Sequence, residues 1–421
     1  MKNRISPVIG FFAAITGVAA VLAGCSKSSN NVNTGPVLPA QAIRGTTLNG
    51  GNIKGVMLSD STYTVNGNLT VLPGDTLTVQ PGAIIKVNGN QAFYVQGVIN
   101  SSGTPQKPIV FTSTSGNQVP GQWGGFQCDS AKSVTFAWTA ILWAGHGDST
   151  NDTKQTIAVS SPIPVNITDC WFVGGQDNAI GVYSTAPVMI LRNSFYGNGT
   201  TDGDCIDFHS GVTGVVAYNV IWGAAGSAIK VYTSKTTPLA NAVTDVSVYN
   251  NTCLESGFRR GAGEPGRGVY VDAFSRARVY NNLLANNYWS LDFSAQSDYQ
   301  HSAYGYNYFF VTVDSLRQWM YPSGEMGNVQ KSDIIDSVHT GANDPMFVGY
   351  TVPPNPSNRI IPSSFDFHLK PGSKALGAGT TNAISNLPAG APAMSSDIGA
   401  YVSDTSGGKG NRHAAVGPLG Y

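Results

Sequence analysis

The central part of the chain holds five short segments in which polar residues alternate with apolar ones. They start at Ala179, Cys205, Ala228, Gly268 and Ser290. In an alternating strand, the apolar residues face one side and the polar residues face the other. The first outward column reads Gly181, Asp207, Lys230, Tyr270 and Asp292, and the second reads Tyr183, His209, Tyr232, Asp272 and Ser294. One solvent-facing surface is therefore predicted to carry groups that can transfer protons: three carboxylates, a lysine and a histidine.

The spacing of these groups favours particular chemistries. Stacked strands lie ~4.8 Å apart and alternate residues ~6.6 Å apart, so Asp207 is expected beside Lys230, and Asp272 roughly 8 Å from Asp292. Inverting glycosidases hold two carboxylates ~6.5–9.5 Å apart around a water molecule. Lys230, with a lowered pKa, would instead serve as the base of a β-eliminating lyase. His209 completes the candidate acid–base set. The alternative is that Asp207 and Lys230 form only a cross-strand ion pair.

Two further groups of residues could bind a substrate on this surface. The first is aromatic, because its rings offer flat apolar faces to sugars, and consists of Tyr183, Tyr232 and Tyr270. The second lies in the long interruption from Glu255 to Gly268 and consists of Arg259, Arg260 and Arg267. These arginines could clamp a carboxylate or a sulfate. The alternative is a solvated loop whose arginines pair with Glu255 and Glu264.

Acidic turns precede the candidate strands and suggest a cation site. Asp202 and Asp204 flank Gly203 just before the Asp207 strand, and a Gly-His-Gly-Asp turn occupies residues 145–148. Clustered carboxylates and turn carbonyls suit calcium, which takes six to eight oxygen ligands. Aspartate is also common in turns for local hydrogen bonding, so a calcium ion bound by Asp202 and Asp204 remains one of two alternatives.

A repeat of 24 to 31 residues organises the chain. Its most regular mark is a polar turn residue, which recurs as Asp169, Asn193, Asn219, Asn250, Asn281 and Asn307. Each of these positions is followed by short strand-like segments separated by turns rich in Gly and Asn. One such unit cannot bury its apolar side chains alone, whereas stacked units form a continuous core. The pattern therefore predicts an all-β solenoid.

The repeat and four further strings resemble the right-handed parallel β-helix proteins of the pectin-lyase-like superfamily. These strings are VLPGDTLTVQPGAIIKV, NDPMFV, FDFHLKPGSKALGAGT and DIGAYV. The resemblance spans roughly Thr47 to Val402, and we expect the β-helix to occupy residues 46–402. A short helical turn from Asp314 should cap the last coils, and residues 403–421 should be a disordered tail. The superfamily includes polysaccharide lyases, glycoside hydrolases and adhesins, so the resemblance implies a polysaccharide partner without choosing among these activities.

The N-terminus resembles a bacterial lipoprotein signal. Residues 1–24 combine a basic start, an apolar run and the sequence Leu-Ala-Gly before Cys25. This resemblance implies cleavage before Cys25 and attachment of a lipid to it. Residues 25–45 would then form a flexible tether, and the lipid would be the only membrane contact of an outer-membrane protein.

The amino-acid composition limits the classes of molecule that the protein could bind. The chain has 24 Lys and Arg against 24 Asp and Glu, and only 11% of its residues are charged, which excludes an electrostatic nucleic-acid binder. The remaining cysteines are expected to be buried free thiols. We therefore expect a monomeric, exported protein that binds a polysaccharide and cleaves it as a lyase or hydrolase. The alternatives are a non-catalytic surface binding protein and a purely structural β-helix.

Overall fold

The computed structural model describes residues 41–146, 155–234, 242–260, 263–321, 325–335, 343–354, 365–403 and 410–413. The strands of the first coils are β1 (Thr47–Leu48), β2 (Gly51–Asn52), β3 (Gly55–Met57), β4 (Thr62–Val65), β5 (Leu69–Val71), β6 (Thr76–Val79), β7 (Ile84–Val87), β8 (Phe93–Val95), β9 (Val98–Ser102), β10 (Ile109–Ser113), β11 (Phe126–Cys128), β12 (Ser133–Ala137), β13 (Thr139–Leu142), β14 (Ile157–Val159), β15 (Val165–Thr168) and β16 (Trp171–Val173).

The strands of the later coils are β17 (Ile180–Val182), β18 (Pro187–Leu191), β19 (Ser194–Tyr196), β20 (Ile206–Phe208), β21 (Thr213–Ala217), β22 (Val220–Trp222), β23 (Ile229–Val231), β24 (Asp245–Tyr249), β25 (Thr252–Leu254), β26 (Arg267–Val271), β27 (Arg276–Tyr280), β28 (Leu283–Ala285), β29 (Trp289–Phe293), β30 (Ala303–Gly305), β31 (Tyr308–Phe310) and β32 (Ile334–Ile335). A 3-10 helix covers Tyr299–His301, and one short α-helix, α1, covers Asp314–Arg317.

Every third strand belongs to the same sheet. Sheet 1 runs from β1 and β4 to β31 and β32, sheet 2 from β2 and β5 to β29, and sheet 3 from β3 and β6 to β30. Each strand pairs in parallel with the strand one coil before and after it, as β17, β20 and β23 do in sheet 2. Crossovers between parallel strands are almost always right-handed. The chain is thus a right-handed parallel β-helix, as predicted.

The interior of the coils is filled by the apolar residues that the alternation predicted to point inward. Ile180, Ile206 and Ile229 are aligned on neighbouring strands and have no solvent exposure. Phe208 and Val231 extend a second inward column that is equally buried. Because side chains alternate along a strand, this buried register sends Asp207 and Lys230 to the outer face of sheet 2.

A ladder of buried asparagines fixes the coils in register. Its members accept backbone and side-chain hydrogen bonds from the preceding coil and are Asn193, Asn219, Asn251, Asn282 and Asn307. The predicted column was wrong at three places, since it named Asp169, Asn250 and Asn281, which lie one residue before the ladder position. These three residues have φ of 54°, 52° and 55°, a left-handed conformation that asparagine and aspartate tolerate better than most residues.

The C-terminal part of the chain does not continue the coils to residue 402. After β32, residues 343–354 and 365–403 pack on the outer face of sheet 1, where Phe347, Phe367 and Ile398 belong to one apolar cluster with Trp171 and Trp222. These outward apolar side chains of sheet 1 would otherwise be exposed to water, which explains the packing. As predicted, α1 caps the end, because Trp319 and Met320, just after it, accept hydrogen bonds from the backbone of β29.

The expected disordered tail is wrong for residues 410–413. Asn411 and His413 are buried, and the His413 ring stacks on Trp171 with a centroid distance of 3.8 Å. His413 also bonds to Ser194 Oγ at 2.8 Å, so these four residues form part of the fold. Residues 404–409 and 414–421 lie outside the described part of the chain, as do the predicted signal segment, Cys25 and the tether up to residue 40.

Two smaller points concern cysteines and membranes. Cys128, Cys170, Cys205 and Cys253 are buried free thiols, as predicted. Within the described ranges, no helix is long and apolar enough to cross a membrane.

Replacement of Asn251 by alanine tests the asparagine ladder. The Asn251 side chain bonds to Asn219, to Asn282 and to the carbonyls of Val216 and Tyr249. Each buried polar group left without a partner costs about 1–3 kcal/mol, so Asn251→Ala should lower the free energy of unfolding by about 3 kcal/mol or more in a denaturant titration. Asn66→Ala is the control, since exposed Asn66 bonds only to Asn49 and Asn88 at 3.3 and 3.5 Å. Equal stability losses in both variants would contradict a special role of the ladder.

Candidate functional site

A pocket of about 430 Å³ opens on the outer face of sheet 2, and we call it the central pocket. Strand register aligns Asp207 with Lys230, and Lys230 with Tyr270. The pocket residues are Tyr183, Asp207, His209, Lys230, Tyr232, Arg260, Glu264, Asp272, Ala273 and Gln296. The two outward columns predicted from sequence therefore meet in one cavity, whose size is within the usual range of ligand sites.

Asp207 and His209 form the most tightly bonded pair in the pocket. His209 Nε2 lies 3.0 Å from both carboxylate oxygens of Asp207. Asn178 Nδ2 donates to Asp207 Oδ2 at 3.0 Å, and the Tyr183 hydroxyl lies 3.4 Å from the same oxygen. Burial opposes ionisation of Asp207, but the hydrogen bond from His209 and the charge of Lys230 outweigh it and lower its pKa. Asp207 is therefore an ionised carboxylate that orients His209.

Lys230 lies between two buried carboxylates. Its Nζ is 3.6 Å from Asp204 Oδ2 and 3.8 Å from Asp207 Oδ1. Burial alone would lower the pKa of Lys230, but Asp207 and Asp204 outweigh it and raise the pKa above the ordinary value. The sequence-based hypothesis required a lowered pKa, and the surroundings produce the opposite shift. Lys230 is a protonated cation and has no lone pair with which to accept a proton.

Asp204 and Asp207 share Lys230 and yet differ in their proton affinity. Asp204 is buried, accepts a hydrogen bond from the Ser227 amide and lies 3.6 Å from Arg260. Burial raises the pKa of Asp204, and the charges of Lys230 and Arg260 only partly counter it. Neighbouring carboxyl groups with opposite pKa shifts are typical of functional sites.

The three arginines of the predicted clamp have three different environments. Arg260 reaches the central pocket and pairs with Asp202 at 3.0 Å and Glu264 at 3.3 Å. Arg259 instead donates to the carbonyls of Asn198, Gly199 and Gly223 at 2.8–3.0 Å, which anchors the loop to the coils. Only Arg260 of the three therefore lines the pocket.

Arg267 is buried beside the pocket rather than in it. Its guanidinium lies 3.9 Å from the centre of the Tyr270 ring and 4.4 Å from that of Trp289, and its Nε donates to Asp292 at 2.8 Å. Asp292 has no solvent exposure, and burial raises its pKa to about 6 despite Arg267. Neither Asp292 nor Tyr270 therefore lines the central pocket, and Tyr270 stacks on Arg267.

The aromatic walls of the pocket come from Tyr183 and Tyr232. Their ring centres lie 5.0 and 4.5 Å from the His209 ring, one on each neighbouring coil. The three rings form a short row along the helix axis. Such a row offers the flat apolar faces that sugar rings contact.

The acidic turn does not fit a calcium ion. Asp202 and Asp204 are occupied by Arg260 and Lys230, whose positive charges lie where a cation would bind. Within the described ranges, no group of three or more His, Cys, Asp or Glu could hold a metal ion. Residues 147 and 148 of the other predicted turn lie outside those ranges, and His146 Nδ1 bonds to the Gly121 carbonyl at 2.6 Å.

The predicted site residues did not include Glu264, Ala273 and Gln296, which line the pocket, or Asn178, which donates to Asp207 from outside it. Asn178 is aligned with Asp204 one coil later, and its Oδ1 accepts a hydrogen bond from the Asp204 amide at 2.6 Å. Asp204 in turn accepts a hydrogen bond from the Ser227 amide, so this turn has the same hydrogen-bond pattern as the asparagine ladder. The sequence could have indicated Asn178, because Asn178 and Asp204 both lie two residues before isoleucines that are aligned on neighbouring strands.

The fold and the pocket define a parallel β-helix protein with a polar cavity on one outer face. Residues 50–135 match a family model described as pectate-lyase like beta helix domain, which confirms the predicted pectin-lyase-like resemblance and indicates a polysaccharide-related function. The match ends before the residues of the central pocket. No curated protein and no solved structure matches the chain significantly.

Replacement of Lys230 by methionine tests the buried charge network. The change leaves Asp204 and Asp207 without their shared cation, and unpaired buried charges cost about 3–5 kcal/mol. Without Lys230 the carboxyl groups must bind protons to stay buried, so the loss in the free energy of unfolding should be largest at neutral pH. It should shrink as the pH falls towards ~4, where free aspartate becomes protonated.

Lys54→Met is the matched control in this denaturant titration. Lys54 pairs with Asp75 at 3.0 Å, but its side chain is 72% exposed, so its removal should cost less than about 1 kcal/mol. A loss for Lys230→Met that is as small as the control, or that does not change with pH, would contradict the network.

Proposed function

We propose that the protein binds a polysaccharide in the central pocket and hydrolyses it by general acid–base catalysis. The observation that carries the proposal is the His209 ring, held by an ionised buried carboxylate at the floor of an open pocket. Burying Asp204, Asp207 and Lys230 together destabilises a fold unless the arrangement is well bonded, and such networks are concentrated at functional sites.

His209 is the proposed proton donor to the leaving sugar. Because ionised Asp207 accepts a hydrogen bond from Nε2, the other ring nitrogen, Nδ1, is the one available to a ligand. Among the described residues, Nδ1 of His209 has no hydrogen-bond partner. In the proposed step, Nδ1 gives its proton to the glycosidic oxygen as the bond from that oxygen to the anomeric carbon breaks.

Asp272 is the proposed base. It follows His209 in the same outward column by two coils, which puts their backbones about 9–10 Å apart. This separation is compatible with the ~6.5–9.5 Å at which inverting enzymes hold an acid and a base around a sugar and a water. Asp272 would take a proton from the water whose oxygen bonds to the anomeric carbon.

Hydrolysis fits the charges of the pocket better than β-elimination. Elimination needs a base and a cation that binds the uronate carboxylate of the substrate. Lys230 is protonated, and Lys230 and Arg260 are both already paired with carboxylates. The pocket thus offers a uronate neither a free cation nor a lysine base.

A His209→Gln variant distinguishes catalysis from binding. We expect the purified full chain to release reducing ends from at least one member of a polysaccharide panel, and the variant to lose about 10²–10⁴-fold in kcat with little change in binding. His301→Gln is the control, because His301 pairs with Asp298 at 2.6 Å on the exposed surface. Binding without product would favour the non-catalytic alternative, and ultraviolet absorbance from unsaturated products would show elimination instead.

We also propose that the chain is exported and anchored in the outer membrane by a lipid on Cys25. The support is the sequence of residues 1–25 and the absence of an acidic residue directly after Cys25. In a Gram-negative host, a fatty-acid label should attach to the wild-type chain and to Cys128→Ser. Cys25→Ser should lose both the label and the membrane association. A labelled Cys25→Ser chain would contradict this anchor.

A further inference from the structure

The central pocket contains more carboxylates than cations. Its walls and their direct ion-pair partners include two permanent cations, Lys230 and Arg260. The carboxylates number five and are Asp202, Asp204, Asp207, Glu264 and Asp272. Even with Asp204 protonated, four carboxylates face two cations. A bound anion would meet a net negative field, and a bound cation would balance it.

Asp272 is the carboxylate that the protein leaves unbalanced. Lys230 pairs with Asp204 and Asp207, and Arg260 pairs with Glu264 as well as with the acidic turn. Among the described residues, no Lys, Arg or His side chain lies within ion-pair distance of Asp272. The position that can take an additional positive charge is therefore next to Asp272.

Tyr232 provides an independent sign of a missing ligand group at the same place. It lines the pocket, only 7% of its surface is exposed, and its buried hydroxyl has no hydrogen-bond partner within the described part of the chain. Buried polar groups are nearly always bonded, and leaving one without a partner is costly. Burial raises the pKa of Tyr232, and the nearby charge of Asp272 raises it further. A ligand group that donates hydrogen bonds would satisfy both residues.

The Tyr232 ring already has one ammonium group near it. Lys230 Nζ lies 5.5 Å from the ring centre, within the range of cation–π attraction. An ammonium has three donors and no acceptor, so it can bond at once to a carboxylate and to a phenolic oxygen. A hydroxyl or an acetamido group could donate one hydrogen bond but would leave the charge of Asp272 unbalanced.

We propose that the sugar bound between Asp272 and Tyr232 carries a free ammonium group, so that the substrate is a polymer containing unacetylated amino sugars. This inference rests on the proposed function and specifies its substrate class. Asp272 pairs with the ammonium through one carboxylate oxygen and keeps the other for the water, the Tyr232 hydroxyl accepts a hydrogen bond, and the Tyr183, His209 and Tyr232 rings contact the sugar faces.

The test compares three oligosaccharides that share one backbone: β-1,4-linked oligomers of glucosamine, N-acetylglucosamine and glucose, of equal length. Calorimetric titration of the purified full chain should show the glucosamine oligomer binding about tenfold or more tightly than the other two, as expected for a hydrogen-bonded charge. Added salt should reduce this preference, because screening weakens charge pairing. A rise in pH that deprotonates the sugar amine should reduce it as well.

Tyr232→Phe separates the ammonium contact from sugar binding in general. The variant keeps the ring and loses only the unpartnered hydroxyl, so it should weaken binding of the glucosamine oligomer about fivefold or more and weaken binding of the other two oligomers less. Asp272→Asn should abolish the preference altogether. Tyr94→Phe is the control, since Tyr94 lies on sheet 2 four coils before Asp207 and outside the pocket.

The outcomes separate this inference from the proposed function. Equal or weaker binding of the glucosamine oligomer, or a preference that survives Asp272→Asn, would overturn the ammonium site while leaving hydrolysis of another glycan intact. Failure of all three oligomers to bind, with turnover of a different member of the polysaccharide panel, would also overturn it. The proposed function itself fails if no polysaccharide of the panel is hydrolysed, whatever the three oligomers do.

Discussion

The register between successive coils is the constraint on which the rest of the structure depends. A slip of one residue in β20 would turn Asp207 into the core and Ile206 to solvent. The inward column resists such a slip through apolar burial, and the asparagine ladder resists it through directional hydrogen bonds. Only with both in place do residues from three coils, Asp207, Lys230 and Asp272, meet in one pocket.

The same stacking that builds the pocket also determines its electrostatics. Parallel strands put identical positions of neighbouring coils ~4.8 Å apart. A buried charged residue is therefore stabilised only if a neighbouring coil supplies an opposite charge or a hydrogen bond at that distance. Asp207 is matched by Lys230 and by His209, which lowers its pKa. Asp204 is more strongly affected by its burial, so its pKa rises although it shares the same lysine. One lysine therefore lies between two carboxyl groups whose pKa values are shifted in opposite directions.

Much of this arrangement could be predicted from the sequence, because alternation with a period of two fixes which side chains share a face. The columns of Ile206 and of Asp207 are examples. Alternation carries no information about loops, so the different environments of Arg259, Arg260 and Arg267 could not be predicted. It also fails where two equivalent residues are adjacent, as at Asn250 and Asn251, since only backbone conformation decides which of them joins the ladder. Asp292 follows the predicted register, but the aromatic residues around Arg267 bury it.

The C-terminal part of the chain explains why the pocket lies on sheet 2. Sheet 1 presents large apolar side chains outward, such as Trp171 and Trp222, and residues 343–354 and 365–403 cover them. Part of sheet 3 is covered in the same way, where Tyr218 and Tyr249 donate to the carbonyls of Ala393 and Pro392. The outward residues of sheet 2 in the central coils are polar and charged, so covering them with chain would leave charges unsatisfied. A polar, hydroxyl-rich ligand can satisfy them, as the proposed binding of a glycan on this face requires.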